Sequence, residues 1–299
     1  MLRMEAVVRR FGSVTALDEI SLDIPAGSVF ALAGPNGAGK STALKLCVNL
    51  LRPTSGRVEV FGVESRRLGP SQLAKIGYVS EHRQLPDWMT VTAWFAYLKP
   101  FYPDWHDEDL AELLGVYQLP ASRPLRSLSR GMRMQAALCA ALAYRPSLLL
   151  LDEPFSGLDV LVREQLIETL AARSGETTVV LASHDLAEME SFATHVAYVS
   201  EGKLRFVEEM GALSSRFREI EVMLDSPSAV LPPELPRGWL NLEQSSRTVR
   251  FVHSRYEAAH ADSEIRAYFS DVCDVAVRAL PLRSIFVALA KAAATSRQG

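Results

Sequence analysis

Gly34-Pro35-Asn36-Gly37-Ala38-Gly39-Lys40-Ser41-Thr42 fits the pattern of a glycine, four residues, a second glycine, lysine, and then serine or threonine. Before it, Val29 to Ala33 reads VFALA, an unbroken apolar run of the kind that forms a buried strand. After it, Leu44, Cys47, Val48 and Leu51 recur at the i, i+3, i+4, i+7 spacing of one buried helix face. A glycine-rich turn between a strand and a helix is the setting in which this pattern holds phosphate. The glycines let the backbone curl so that successive N–H groups of Gly34 to Thr42 face phosphate oxygens, and a helix starting near Gly39 adds its positive dipole end. Lys40 is placed to neutralise the β and γ phosphates of a bound nucleotide, and Ser41 to ligate Mg2+.

Further along, Leu148-Leu149-Leu150-Leu151-Asp152-Glu153-Pro154 gives a second buried strand that ends in two carboxylates. Ligands of open α/β sheets bind at that end of a strand. Two acids there have two jobs. Asp152 is expected to hold Mg2+ through water, and Glu153 to polarise the water that attacks the γ phosphate.

Residues 1 to about 210 alternate short β-rich runs with helical patterns, which predicts an α/β layer fold. Further strands are expected at Arg57 to Phe61, Ile76 to Val79, Thr178 to Ala182 and Val196 to Ser200. From about His82 to Ser127 the strand signal gives way to aromatic-rich and helical pieces. Together with the helix that follows, these read as a helical insertion spanning about 82–145. After about Met210 the character changes again. Strands at Phe217 to Leu224, Thr248 to Ser254 and Val272 to Leu280, a proline-rich turn LPPELPRG, and helices at Glu257 to Phe269 and on to about Ala293 predict a small α+β appendage over 213–299, beside a main domain of 1–212.

Composition narrows the function classes. The chain has 299 residues, 48% of them hydrophobic, which is enough for a large core. Its 32 basic and 35 acidic side chains leave a net charge of -3, so nucleic acid is not an expected partner. Cys47, Cys139 and Cys273 are odd in number and far apart, which fits a reduced cytosolic setting rather than a disulfide framework. No apolar run approaches the about 20 residues of a membrane span, so any membrane crossing is expected from another chain.

Taken in order, these motifs resemble the nucleotide-binding domain of ABC transporters across residues 1 to about 210: a P-loop NTPase of ABC type with a helical insertion, to which the α+β appendage is added. Leu128-Ser129-Arg130-Gly131-Met132 resembles the family signature LSGGQ. The resemblance implies that Ser129 and Gly131 contact the γ phosphate of a nucleotide on the opposite subunit. Ser156-Gly157-Leu158-Asp159 resembles the D-loop, so Asp159 is expected at the dimer seam, and His184 in Ala182-Ser183-His184-Asp185 resembles the switch histidine that reaches the γ phosphate. Phe11 in Arg10-Phe11-Gly12 resembles the aromatic that stacks on adenine. ATP and Mg2+ are the implied ligands.

Three positions depart from the family pattern. Where a glutamine usually follows the strand IGYV, this chain has Glu81, and in the signature Arg130 replaces a glycine and Met132 the glutamine. A carboxylate about 4 to 5 Å from phosphate oxygens is repelled by roughly 3 to 4 kcal/mol per unit charge pair at an effective dielectric of about 20, whereas direct ligation of Mg2+ would reverse the sign. Glu81 is therefore expected to be a magnesium ligand in the closed state, or else to point away.

The resemblance further implies a homodimer, or a heterodimer with a related ATPase subunit, that drives a separate transmembrane permease subunit from the cytoplasmic face of the cell membrane. The stretches IGYVSEH with PDWMTV, FYPDW, LSRGMRMQ and LPLRSIFVAL are similar to the ATPase subunits of bacterial ABC-2 type exporters, so export is expected. The rival is a soluble ABC-type ATPase acting on a macromolecular complex. Such relatives usually carry tandem ATPase domains or long coiled coils, which this sequence does not display.

Overall fold

The computed structural model describes residues 1–81, 84–225, 236, 238–269 and 271–295. The chain falls into two compact units, Met1–Val207 and Glu208–Gly299. This division lies five residues before the 212/213 boundary read from the sequence.

The first unit opens with a long antiparallel pair, β1 (Leu2–Phe11) and β2 (Val14–Ile24), followed by β3 (Val29–Ala33), α1 (Lys40–Cys47), β4 (Ser55–Val60), β5 (Val63–Glu64), α2 (Pro70–Leu73) and β6 (Ile76–Val79). The helical stretch contributes α3 (Val91–Leu98), α4 (Asp107–Tyr117) and α5 (Arg130–Leu142). The chain then returns to β7 (Leu148–Asp152), α6 (Val160–Ala171), β8 (Thr178–Ser183), α7 (Leu186–Glu190), β9 (His195–Ser200) and β10 (Lys203–Glu209).

One four-stranded sheet has the order β2-β1-β4-β5, and a six-stranded sheet has the order β10-β9-β3-β8-β7-β6. Every residue of β3, β7 and β8 is buried, as expected of parallel strands covered on both faces. Helix α1 joins the two sheets: Ala43, Leu44, Leu46 and Cys47 pack in one cluster with Leu2, Met4 and Leu17 from the antiparallel sheet and Leu32, Leu148 and Val180 from the parallel one.

Helix α1 is shorter than its apolar spacing predicts. It stops at Cys47 because Asn49 turns into the left-handed region at φ +57, and the amides of Leu50 and Leu51 donate back to the Lys45 carbonyl at 3.0 and 3.2 Å. Val48 and Leu51 thus lie beyond the helix end, although both still pack on its core. The aromatics of the helical stretch divide. Trp94 and Phe95 are core residues and Tyr102 stacks on Tyr144 at 3.9 Å, whereas Trp88, Tyr97 and Phe101 are exposed.

The second unit consists of α8 (Met210–Arg216), β11 (Arg218–Leu224), β12 (Trp239–Ser245), β13 (Thr248–His253), α9 (Ala258–Tyr268), β14 (Val272–Ala279) and α10 (Leu282–Thr295). Its sheet has the order β12-β13-β11-β14. Ile220, Val222, Val249 and Ile265 form its core with Trp239, whose indole stacks on Phe251 at 3.9 Å. The predicted proline-rich turn at 231–238 lies mostly outside the described residues.

Candidate functional site

Four parallel strands end along one edge of the six-stranded sheet. Ala33 of β3 is level with Ser183 of β8, Asp152 of β7 with Ala182 of β8, and Val79 of β6 with Leu151 of β7. The residues just past those ends are Gly34, His184, Glu153 and the pair Ser80-Glu81, so sequence motifs far apart in the chain are delivered to one place.

The phosphate loop crosses from β3 to α1 by a path that only glycine fits at two points. A Cβ on Gly34 would lie 2.1 Å from the Val199 carbonyl oxygen. Gly39 sits at φ +105 as the N-cap of α1, and a Cβ there would lie 2.4 Å from the Ala16 carbonyl oxygen. Lys40 is 5% exposed, with Nζ donating to the carbonyls of Gly34 at 2.7 Å and Pro35 at 3.2 Å and standing 3.4 Å from Glu153 Oε1. A buried ammonium is costly unless paired, and here it is enclosed by its own loop and one carboxylate.

Glu153 takes the left-handed conformation at φ +49, anchored by its N–H to the Ala182 carbonyl at 2.8 Å. Its other carboxylate oxygen, Oε2, meets His184 Nδ1 at 2.8 Å. Next to it, Asp152 is almost wholly buried. Burial raises the pKa of its carboxyl, the Ser41 hydrogen bond opposes that shift, and the charges of Glu153 and Glu81 add to it. Ser41 Oγ donates to Asp152 Oδ1 at 2.7 Å. A hydroxyl and a desolvated carboxylate are the hard oxygen donors that suit Mg2+, which binds through one or two protein oxygens together with water and phosphate.

Phe11 lies at the turn of the β1–β2 hairpin, paired with Val14. It is 43% exposed, and the Arg9 guanidinium lies 4.3 Å from its ring centre. Ser129 is the N-cap of α5, its Oγ accepting from the Met132 amide at 3.2 Å, and Asp159 caps α6 in the same way from Val162 at 3.0 Å. Gly131 is in the first turn of α5, with room for a Cβ 3.4 Å from Leu158.

Glu81 is held by two side chains. Its Oε1 accepts from Arg130 Nη2 at 2.7 Å and from Ser156 Oγ at 3.0 Å, and Arg130 Nη2 also donates to Ser156 Oγ at 3.0 Å. Sequence reasoning treats Glu81 and Arg130 as separate departures and gives Ser156 a place only within the D-loop. It also missed Glu188 of α7, a buried carboxyl 3.1 Å from Arg163 and 3.3 Å from Ser183 Oγ. No local pattern marks either contact.

Phosphate loop, paired acids, histidine and helix-capping serine together define a nucleoside-triphosphate-hydrolysing α/β domain. The profile of the ABC transporter family matches residues 17–156. The chain is 35% identical over 247 residues to the Fe(3+) ions import ATP-binding protein FbpC of Pseudomonas fluorescens, an alignment covering 79% of this chain and 70% of that one. It is 33% identical over 269 residues to the sulfate/thiosulfate import ATP-binding protein CysA of Mesorhizobium japonicum, covering 79% and 77%. Among solved structures, it resembles a dimeric ATP-binding cassette in a post-hydrolysis state bound to ADP and phosphate, with a TM-score of 0.63, 26% identity, and coverage of 70% of this chain and 99% of the other. The chain belongs to the family of ABC transporter ATP-binding subunits and is an ATPase. Both named relatives are import proteins, so they lend no support to the expected exporter subgroup.

Proposed function

We propose that the protein hydrolyses ATP at sites shared between two subunits arranged head to tail, and that their closing and opening drive a separate transmembrane permease subunit. In each site the loop Gly34 to Thr42 of one protomer cradles the phosphates, Phe11 stacks on adenine, and Ser129 and Gly131 of its partner meet the γ phosphate with the N-terminal dipole of α5 behind them. Asp159 lines the seam. The partner subunit is a second copy of this chain or a related ATPase subunit.

The observation that supports this most is the Glu153 carboxylate held between Lys40 and His184. Phosphate oxygens offer Lys40 a stronger counter-charge than one carboxylate, so nucleotide frees Glu153 to orient and deprotonate a water, while His184 keeps it aligned. Ser41 and Asp152 are the residues that would hold Mg2+; Glu81, the third oxygen donor expected from the sequence, has its Oε1 taken up by Arg130 and Ser156 and is assigned to that pair rather than to the ion. The ion would supply positive charge to the β and γ phosphates. Because ATP touches both protomers only when they are closed, it favours the closed state, and loss of the γ phosphate removes that preference.

The exposed aromatics Trp88, Tyr97 and Phe101 are the kind of surface that meets a protein partner, and we assign them to the permease. Among the described residues no helix is long and apolar enough to cross a membrane. We assign the crossing to the permease and take this chain to work from the cytoplasmic face of the membrane. Movement outward is inferred from the exporter-like stretches alone.

The test is Glu153→Gln. Magnesium-dependent turnover is expected to drop by about 10²-fold or more, with ATP binding kept and a stable dimer appearing on ATP addition. Unchanged turnover would remove Glu153 from the chemistry, and a monomer at saturating ATP would remove the shared site.

A further inference from the structure

A carboxylate beside the phosphate site is an electrostatic liability, and the chain carries one at Glu81, two residues past Val79, the last residue of β6. Because Val79 is level with Leu151, Glu81 emerges next to Asp152 and Glu153, at an edge already holding two acids. What distinguishes Glu81 is its partner. Arg130 arrives from α5, 49 residues away, and Glu81, Arg130 and Ser156 close a triangle of contacts of 2.7, 3.0 and 3.0 Å. The guanidinium also lies against Gly157, where a Cβ would come within 3.1 to 3.2 Å of Arg130 Nη1, Cδ and Cζ. One turn along α5, Arg133 grips Asp87 at 2.7 Å, so two arginines hold carboxylates on either side of the segment after β6.

We propose that Arg130 is a positioning residue whose guanidinium neutralises the Glu81 carboxylate at the edge of the phosphate site, so that the two side chains work only as a matched pair. The inference rests on the nucleotide site described above. It assigns two of the three departures from the family pattern, Glu81 and Arg130, to a single exchange, in which a neutral amide and a glycine are replaced by a carboxylate and its counter-ion. Geometry favours the exchange. An arginine replacing the signature glycine sits beside Ser129 and reaches Glu81, and Ser156 accepts from Arg130 while donating to Glu81, which fixes the carboxylate's direction. Restoring the family residue at either position alone is therefore expected to perturb nucleotide binding, and in opposite directions.

The experiment measures MgATP affinity for the full-length wild type, Glu81→Gln, Arg130→Gly and the double variant, at low and high sodium chloride. Arg130→Gly leaves Glu81 uncompensated and is expected to weaken binding about tenfold at low salt. That loss shrinks at high salt, because the side chains are partly exposed, at 57% for Arg130 and 26% for Glu81, and salt screens exposed charges. Adding Glu81→Gln to Arg130→Gly is expected to bring affinity back to within about twofold of wild type. Glu81→Gln alone is expected to bind at least as tightly as wild type. Arg130→Lys, which keeps the charge, provides a second route should the glycine variant fold poorly, and is expected to lose less than Arg130→Met. The proposal is overturned if the loss in Arg130→Gly persists in the double variant, is insensitive to salt, or does not occur. A wild type that fails to bind MgATP would strike the nucleotide site itself instead.

Discussion

Glu153 Oε2 and His184 Nδ1 are 2.8 Å apart, although the two residues are separated by 31 positions and end different strands. The contact exists because β7 and β8 run parallel in register, with Asp152 level with Ala182, so the residues just beyond both strands share one edge. With Glu153 as a carboxylate, the shared proton belongs on Nδ1, which leaves Nε2 as the ring nitrogen facing other partners.

Replacing His184 with Ala should therefore act on chemistry more than on binding. Turnover is expected to fall about 10²- to 10⁴-fold, while MgATP affinity stays within a few-fold of wild type. Steady-state kinetics paired with equilibrium binding checks this, and an equal loss in both would make His184 a binding residue only.

Phe11→Ala should do the reverse. Its ring is partly exposed at the hairpin turn and Arg9 lies over it, so little core packing is lost. Removing an adenine stack of about 1 kcal/mol, the low end for aromatic stacking, is expected to weaken ATP binding about fivefold with turnover at saturation preserved. Phe11→Trp should recover the affinity. Calorimetric titration with a non-hydrolysable analogue reads the effect directly.

Glu188 predicts a pH dependence. Burial, opposed by Arg163, raises its carboxyl from 4.5 to about 7, with Asp185 adding to the rise. The folded state then binds more protons than the unfolded state between those values, so stability falls as pH rises from about 4.5 to about 7 and levels off above. The contribution is at most about 3 kcal/mol. Glu188→Gln lacks the titration, and its melting temperature should fall less steeply than that of the wild type from pH 5 to pH 8. Parallel curves would show that Arg163 keeps Glu188 charged throughout.

Local pattern carried much of the architecture and less of the site. VFALA, IGYV and the LLLL run were legible as strands because a strand covered on both faces needs no alternation, only an unbroken apolar run. β1 was harder to read. Its register shifts between Met4 and Val7 and again before Arg10, and Ala6 turns to φ +44, so the two-residue period that would mark a half-buried strand is broken. β12 was missed for the same reason, with a shift between Leu240 and Glu243 and Asn241 at φ +52. The phosphate loop and the Asp152-Glu153 pair could be found because each is contiguous. The Glu81–Arg130–Ser156 triangle could not, since it forms only when β6, the start of α5 and the turn before α6 meet in space.

In the proposed dimer one ATP is held by Lys40 of one protomer and Ser129 of its partner. Lys40→Ala and Ser129→Ala should each be inactive as homodimers, because every site then lacks one half. Mixed in equal amounts, they form heterodimers in which one site carries both defects and the other is intact. ATPase activity, measured on the mixture, is expected to rise above either parent towards about a quarter of wild type, as random pairing of a two-fold dimer with independent sites allows. If the mixture stays at the level of its inactive parents while wild type is active under the same conditions, the site is not shared in the way proposed.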